Sequence, residues 1–431
     1  MHPLLEALPA LRLARKDVVE PAQALQSSAH ETPPPAGVRR AGHSATPPFR
    51  GQTAAPARRV RYAPPPMRRS WLIGACLIPA AAAAGPPAPH LAVPLPAAPV
   101  SGPLAIPGDP PALLLWYGDT LEKREAATGE PVWRIPLGPG GHLQSRAFGE
   151  GRCGPAVGWA GVKDGAAEFR SICLADGRIA ARTPLPRSPV GAPVPVPSPD
   201  RPLRWFVPLE GGTVAEMDAE GGVRAVHVVG TPLVPPLVAL LGGAAAWVGD
   251  PPRLTPLERH RRRGLPEGAD PRTAAVEGDC VVAGAGRAAV AWSCRRRHGR
   301  IRCRRLWRQR LGAGLTAPPV IDGGRVLVPS LDTFLYGFAR DNGHLLFRSR
   351  AEHRLASPGA LFDGRIAFTP AATAEILVFD RGDGRRVATI RGERGELFLT
   401  PPAPAGDRVF VAVLAFPGEK VELRGYPLPS D

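Results

Sequence analysis

Apolar and polar positions alternate along most of this chain after Leu113, in short runs broken by Gly, Pro, Asp and Asn. The stretch from Phe334 to Ser349, FLYGFARDNGHLLFRS, shows the unit clearly. Bulky residues alternate with small or polar ones, the pattern stops at Asp341-Asn342-Gly343, and it resumes at Leu345. Period-two patterning around a central turn signal predicts a strand, a tight turn and an antiparallel second strand.

The turn glycine of that stretch has four relatives. Gly129, Gly177, Gly222, Gly343 and Gly384 each stand eight residues after an apolar or aromatic residue, and all but Gly129 stand five after another. Successive glycines lie 48, 45, 121 and 41 residues apart, so the long interval has room for two degenerate units, at 237–257 and 280–311. Residues 407–428 supply a closing unit. Within each unit a Pro-containing entry, such as Ala317-Pro318-Pro319-Val320, leads into a first strand, and a turn such as Asp322-Gly323-Gly324 leads into a second. The glycine motif supplies the third and fourth. Four short antiparallel strands in a repeat of about 40 residues predict a propeller blade, because one such sheet cannot bury both faces alone. The expected fold is all-β, a propeller of about eight four-stranded blades over 104–431, with seven as the alternative count.

The copy from Leu121 to Trp133, with Glu-Ala-Ala-Thr-Gly-Glu-x-x-Trp, resembles the repeat of the quinoprotein-like (PQQ-like) β-propellers, as do Phe334 to Phe347 and Ile376 to Ala388. The resemblance implies that the turn glycine is left-handed and that Trp133 or Phe347 docks on the neighbouring blade. Ala181, Val226 and Ala388 hold that place in the other copies. Glycine reaches positive φ without steric cost, which agrees with the implied role. The family includes calcium- and PQQ-dependent dehydrogenases, with an adjacent Cys-Cys disulfide and a Glu/Asn/Asp metal set, and also cofactor-free scaffolds. This chain has no Cys-Cys pair and almost no Asn. The resemblance therefore implies the scaffold branch, similar to the propeller lipoprotein of the outer-membrane barrel-assembly machine, with no PQQ or other cofactor and a membrane-bound protein partner. A degenerate quinoprotein-type oxidoreductase, or another enzyme using the central channel, is the alternative.

Composition changes the picture at the N-terminus. Residues 1–66 are rich in Pro, Ala and Arg and read as disordered. Met67-Arg68-Arg69-Ser70 then opens a basic start, followed by an apolar run from Trp71 to Ala84 that ends in Ala82-Ala83-Ala84. That layout predicts a signal peptide over 67–84, starting near Met67 and leading to a Pro-rich linker at 85–103. The run is shorter than the roughly 20 residues a membrane anchor needs. Periplasmic or extracellular localisation is expected, an apolar linker being the alternative. Ile73-Gly74-Ala75-Cys76 resembles a lipobox but falls nine residues after Met67, so lipid anchoring at Cys76 is not expected.

The other cysteines fit export. Cys294 and Cys303 flank RRRHGRIR, where a two-residue His298-Gly299 loop sets Arg297 opposite Arg300 and Cys294 opposite Cys303. For such a loop the cysteine pair is non-hydrogen-bonded, where side chains approach most closely, and a cross-strand disulfide is predicted. Cys153 and Cys173 form a weaker candidate pair and Cys280 is left over. Reduced core thiols are the alternative.

The net charge of +16 is uneven. Residues 1–84 carry 11 basic and 4 acidic side chains, and Arg295 to Arg310 hold nine Arg and no acid. A charge confined to these two stretches is no sign of a nucleic-acid binder. In the hairpin register Arg295, Arg297, Arg300 and Arg302 share one face, with Cys294, Arg296, Ile301 and Cys303 on the other. Like charges directly opposite destabilise a hairpin, by up to ~1 kcal/mol a pair. An anionic partner, such as phospholipid, lipopolysaccharide or an acidic protein face, would offset that; a solvated hairpin that blocks edge-to-edge aggregation is the alternative. The Arg259 to Arg263 loop is a weaker version. No HExxH, GxSxG or Walker motif is present, and His142, His227, His344 and His353 lack ligand spacing. Arg381-Gly382-Asp383 falls on the repeat turn, which accounts for it. The sequence thus reads as an exported, non-catalytic scaffold propeller that binds protein at the bacterial envelope, monomeric within a complex.

Overall fold

The computed structural model describes residues 89, 91–144, 149–151, 153–198, 201–241, 243–250, 252–257, 269–297 and 300–428. The expected signal peptide, Met67 and Cys76 lie outside the described residues, as does the Arg259 to Arg263 loop. The described chain forms eight antiparallel sheets, the blades of one propeller. Blade 1 runs from Ser101–Ile106 to Pro131–Pro136, and blade 6 from Val320–Asp322 to Leu345–Arg350. Blade 4 has three described strands, Leu233–Leu240, Gly243–Val248 and Arg253–Pro256.

The ring closes with strands from both ends of the chain. Blade 8 is built from Glu396–Phe398 and Ala403–Ala405 inside, then Arg408–Ala415 and Lys420–Pro427. Its outermost strand is Leu91–Pro94, with Leu91 opposite Gly425 and Pro94 opposite Glu422. The segment 85–103, expected to be a linker, therefore contributes a strand, and the propeller starts at Leu91 rather than Leu104. Four residues between prolines are too few to show a period, so the pattern hid it.

Eight apolar clusters fill the eight joints between blades. Leu113 and Leu115 of one strand face blade 8, while Leu114 and Trp116 of the same strand face blade 2. Inner strands are thus buried on both sides, which explains why ALLLW reads as a continuous apolar run rather than an alternation. Trp159, Trp205 and Trp247 are fully buried in three such joints.

The turn between the third and outer strands is where the repeat shows most clearly. Asn342 Oδ1 accepts from the His344 N–H at 2.8 Å, Asp383 Oδ1 from Arg385 at 2.8 Å, Asp176 Oδ1 from Arg178 at 3.0 Å, and Thr128 Oγ1 from Glu130 at 3.2 Å. The next residue, Gly129, Gly177, Gly343 or Gly384, has φ between 71° and 74°. Blade 3 corrects the expectation: its left-handed glycine is Gly221 at φ 85°, not Gly222. There the turn is one residue tighter, Gly221 N–H bonding back to Asp218 O, three residues away, whereas Gly343 reaches Ala339, four away.

Candidate anion-binding hairpin

In the regular blade 6, the second strand starts at Arg325 opposite Ala339, and the chain turns at once through Arg340 to His344. Blade 5 departs from this. Its second strand starts at Cys280 opposite Ser293, but the third and outer strands continue, to Arg297 and from Arg300. Four further pairs form: Cys294 with Cys303, where the Cys294 N–H still donates to Asp279 O at 2.7 Å, and then, past the second strand, Arg295 with Arg302, Arg296 with Ile301, and Arg297 with Arg300. At about 3.3 Å per residue the three pairs past that strand carry the ribbon roughly 10 Å clear of the sheet. The first of the four pairs is a disulfide, Cys294–Cys303. Cys153–Cys173 is a second. Cys280 is free and buried, and burial pushes its thiol up, with Arg340 beside it acting the other way.

Arg295, Arg302, Arg304, Arg305, Arg308 and Arg310 are all exposed. None has a carboxylate within salt-bridge distance among the described residues, whereas elsewhere Arg134 meets Glu122, Arg182 meets Glu168, and Arg386 meets Glu352. The acids beneath the ribbon are already engaged. Arg340, from the turn of blade 6, lies 3.5 Å from Glu277 and 3.1 Å from Asp279, and the Ser293 hydroxyl donates to Asp279 at 2.9 Å. A bulge between Ala291 and Trp292 then shifts the outer strand by one residue. It leaves Arg302 and Arg304 on the flank toward blade 6, and Arg305, Arg308 and Arg310 on the flank toward blade 4.

Past the bulge, Trp307 enters the joint with blade 6. Its indole N–H donates to Arg340 O at 2.7 Å, and its ring covers Gly343, where an added Cβ would lie 2.5 Å from Cγ. Trp133 covers Gly177 in the same way, Phe347 covers Gly384, and Leu91 with Val93 covers Gly129. The expected docking of Trp133 and Phe347 is present, and Trp307 is a third docking aromatic that the sequence pattern missed. The long ribbon carries the loop glycine of blade 5 out to Gly299, eight residues before Trp307 instead of the four that separate Gly129 from Trp133 and Gly343 from Phe347, so the regular spacing misses it.

The central channel has a different chemistry. A cavity of about 770 Å³ runs along the inner strands of blades 1 and 5 to 8, lined by Pro103, Pro319, Pro358, Pro404, Val320 and their neighbours. Prolines suit these strands because the inner edge has no partner to receive an N–H. Glu277 is the one carboxylate in that lining and is tied to Arg340. Among the described residues no group of three His, Cys, Asp or Glu side chains could hold a metal ion. His227 instead pairs with Glu216 at 2.8 Å and His353 with Glu375 at 3.3 Å. The donor set of a calcium–quinone centre does not assemble from these residues.

Residues 238–400, which contain the ribbon, match the PQQ_2 family, described as outer membrane protein assembly factor BamB. Over that stretch the repeats are similar to those of this family. No curated protein matches the sequence. The propeller is similar in fold to the computationally designed Ika8 protein, at 13% identity and a TM-score of 0.57, over 78% of this chain and 99% of that one. BamB from Moraxella catarrhalis aligns at 12% identity, over 79% and 92% of the two chains, with a TM-score of 0.35. The Cps50 (Swd1) β-propeller domain of Myceliophteria thermophila aligns at 12%, over 73% and 93%, with a TM-score of 0.45. Identities this low bear on the fold alone.

Proposed function

We propose that this PQQ-like propeller is an exported, non-catalytic scaffold of the bacterial cell envelope, holding a protein partner on its ring in the manner its family description, outer membrane protein assembly factor, suggests. The observation that carries the reading is the channel. Along blades 1 and 5 to 8 its wall is mostly proline and aliphatic carbon with Ser101 and Thr400, and the one carboxylate in that lining is held by an arginine, an arrangement that favours a scaffold over a catalytic site. Two disulfides support an oxidising compartment. The arginine ribbon, with Arg295, Arg297, Arg300 and Arg302 paired across it, is the anion-binding face of this scaffold.

The test is cross-linking of the tagged full chain in intact cells, followed by fractionation. The expected result is recovery with the envelope, both cystines oxidised, and one discrete protein cross-linked to the ring. Recovery in the cytosol with reduced thiols overturns the assignment. Turnover of an artificial electron acceptor by the purified chain with alcohols or aldoses would restore the quinoprotein alternative.

A further inference from the structure

The geometry points to a phosphate-bearing lipid surface as the occupant of the blade 5 ribbon. This rests on the ribbon being the anion-binding face and deepens that part of the reading; it does not depend on which protein sits on the ring. Four features select lipid over an acidic protein. First, exposed arginines occupy both flanks of the outer strand, Arg302 and Arg304 on one and Arg305 and Arg308 on the other. A shape-complementary protein patch would need one consistent face. Second, the projecting segment from Arg295 to Arg302 contains no Phe, Tyr or Trp and no side-chain amide, and its one ring is the small imidazole of His298. Protein interfaces draw much of their energy from a few buried Trp, Tyr and Arg anchors, and Arg295 and Arg302 are exposed with no large ring beside them in this segment to pack on. Ile301 is half-buried against the joint with blade 4 and is not available as one.

Third, the reach matters. The ribbon leaves the rim that carries the turns of Asp322 and Asp341, a rim of mixed charge. Its projection of roughly 10 Å exceeds the Debye length of ~8 Å at physiological salt, so the acids behind it do not cancel the field at the tip. Fourth, guanidinium forks match phosphate oxygens two at a time, and opposed arginines on a ribbon present several forks to neighbouring headgroups. The cystine at the base keeps those forks together.

The experiment is sedimentation of the oxidised full chain with vesicles of phosphatidylcholine alone or with about a third phosphatidylglycerol, in physiological salt. Two variants remove the same net charge. Arg297→Gln/Arg300→Gln neutralises the outermost pair, at the tip, and Arg308→Gln/Arg310→Gln clears exposed arginines more than ~20 Å further down the outer strand. Each guanidinium near an anionic bilayer is worth a factor of about 5 in binding, so the tip variant should bind about 30-fold more weakly. The strand variant should stay close to wild type, and neutral vesicles should bind neither protein. Equal losses in the two variants would mean that only net charge matters, and would overturn the assignment. So would failure of the wild type to bind phosphatidylglycerol vesicles. Competition by millimolar glycerophosphate would reveal a small-anion site instead, and tip-dependent capture of a Glu-rich peptide without vesicle binding would point to an acidic protein. None of these outcomes touches the envelope cross-linking result.

Discussion

Removing the Cys294–Cys303 bond by Cys294→Ala/Cys303→Ala should release the ribbon while leaving blade 5 folded. The cysteines are nine residues apart, so the bond closes a loop of about ten. The chain-entropy relation gives such a closure ~2.7 kcal/mol at 25 °C. Against it stand two opposed arginine pairs, Arg295 with Arg302 and Arg297 with Arg300, at up to ~1 kcal/mol each. Beyond Ser293 there is no inner strand, and a two-stranded ribbon alone is marginal in water. The staple is therefore comparable with the repulsion it opposes, and its loss should favour the open ribbon by about 100-fold. Hydrogen exchange with mass spectrometry reads this directly. Amides of 294–303 should lose protection by about that factor, while those of Cys280 to Gly284 keep theirs. In 1 M salt the Debye length falls to ~3 Å, the repulsion is screened, and part of the protection should return. Unchanged protection, or a loss indifferent to salt, would refute this reasoning.

Other outcomes can be stated from the joints and the buried pairs. Trp307→Ala should destabilise the propeller by about 3–5 kcal/mol in denaturant titration, since it empties the joint over Gly343 and removes the bond to Arg340 O. Gly343→Ala should cost at least twice as much as Gly364→Ala: both glycines have φ above 70°, but an added Cβ meets the Trp307 ring at Gly343 and nothing within 4 Å at Gly364. Burial raises the Glu216 carboxyl, yet hydrogen bonds from His227 and Arg204 outweigh it and hold the group below its ordinary 4.5. A depressed acid contributes stability above its unfolded pKa and loses it as pH falls through the folded one, so the contribution is present above about pH 4.5 and fades below. Thermal melts from pH 3 to 7 should show a shallower acid limb in Glu216→Gln.

Much of this architecture was legible because turn chemistry is local. The Asx-type turn at Asn342-Gly343 and its relatives needs only the residues that make it, so the repeat survives in sequence after most of its strands have drifted. The ribbon register was legible for a similar reason: a two-residue loop sets every pair above it, down to Cys294 and Cys303. What escaped depends on neighbours. Leu91–Pro94 is a strand only because Lys420–Pro427 offers it an edge more than 300 residues away. Trp307 docks only because another blade presents Gly343. That Glu277 and Asp279 are unavailable to the ribbon follows from Arg340, which reaches them from a turn more than 60 residues on.

The outer strand of blade 8 also sets an order of events. Its partner in the sheet, Lys420–Pro427, is the last of the described strands, so the ring cannot shut until translation has passed Pro427. Any shorter product keeps two open sheet faces, one on blade 1 and one on the last blade made, each apolar and each a template for another chain. Completeness is thus checked by topology. Moving the seam by circular permutation, joining the ends near Pro427 and Leu91 and opening the chain between blades 2 and 3, should leave the finished ring unchanged and relocate only the point at which an unfinished chain is exposed.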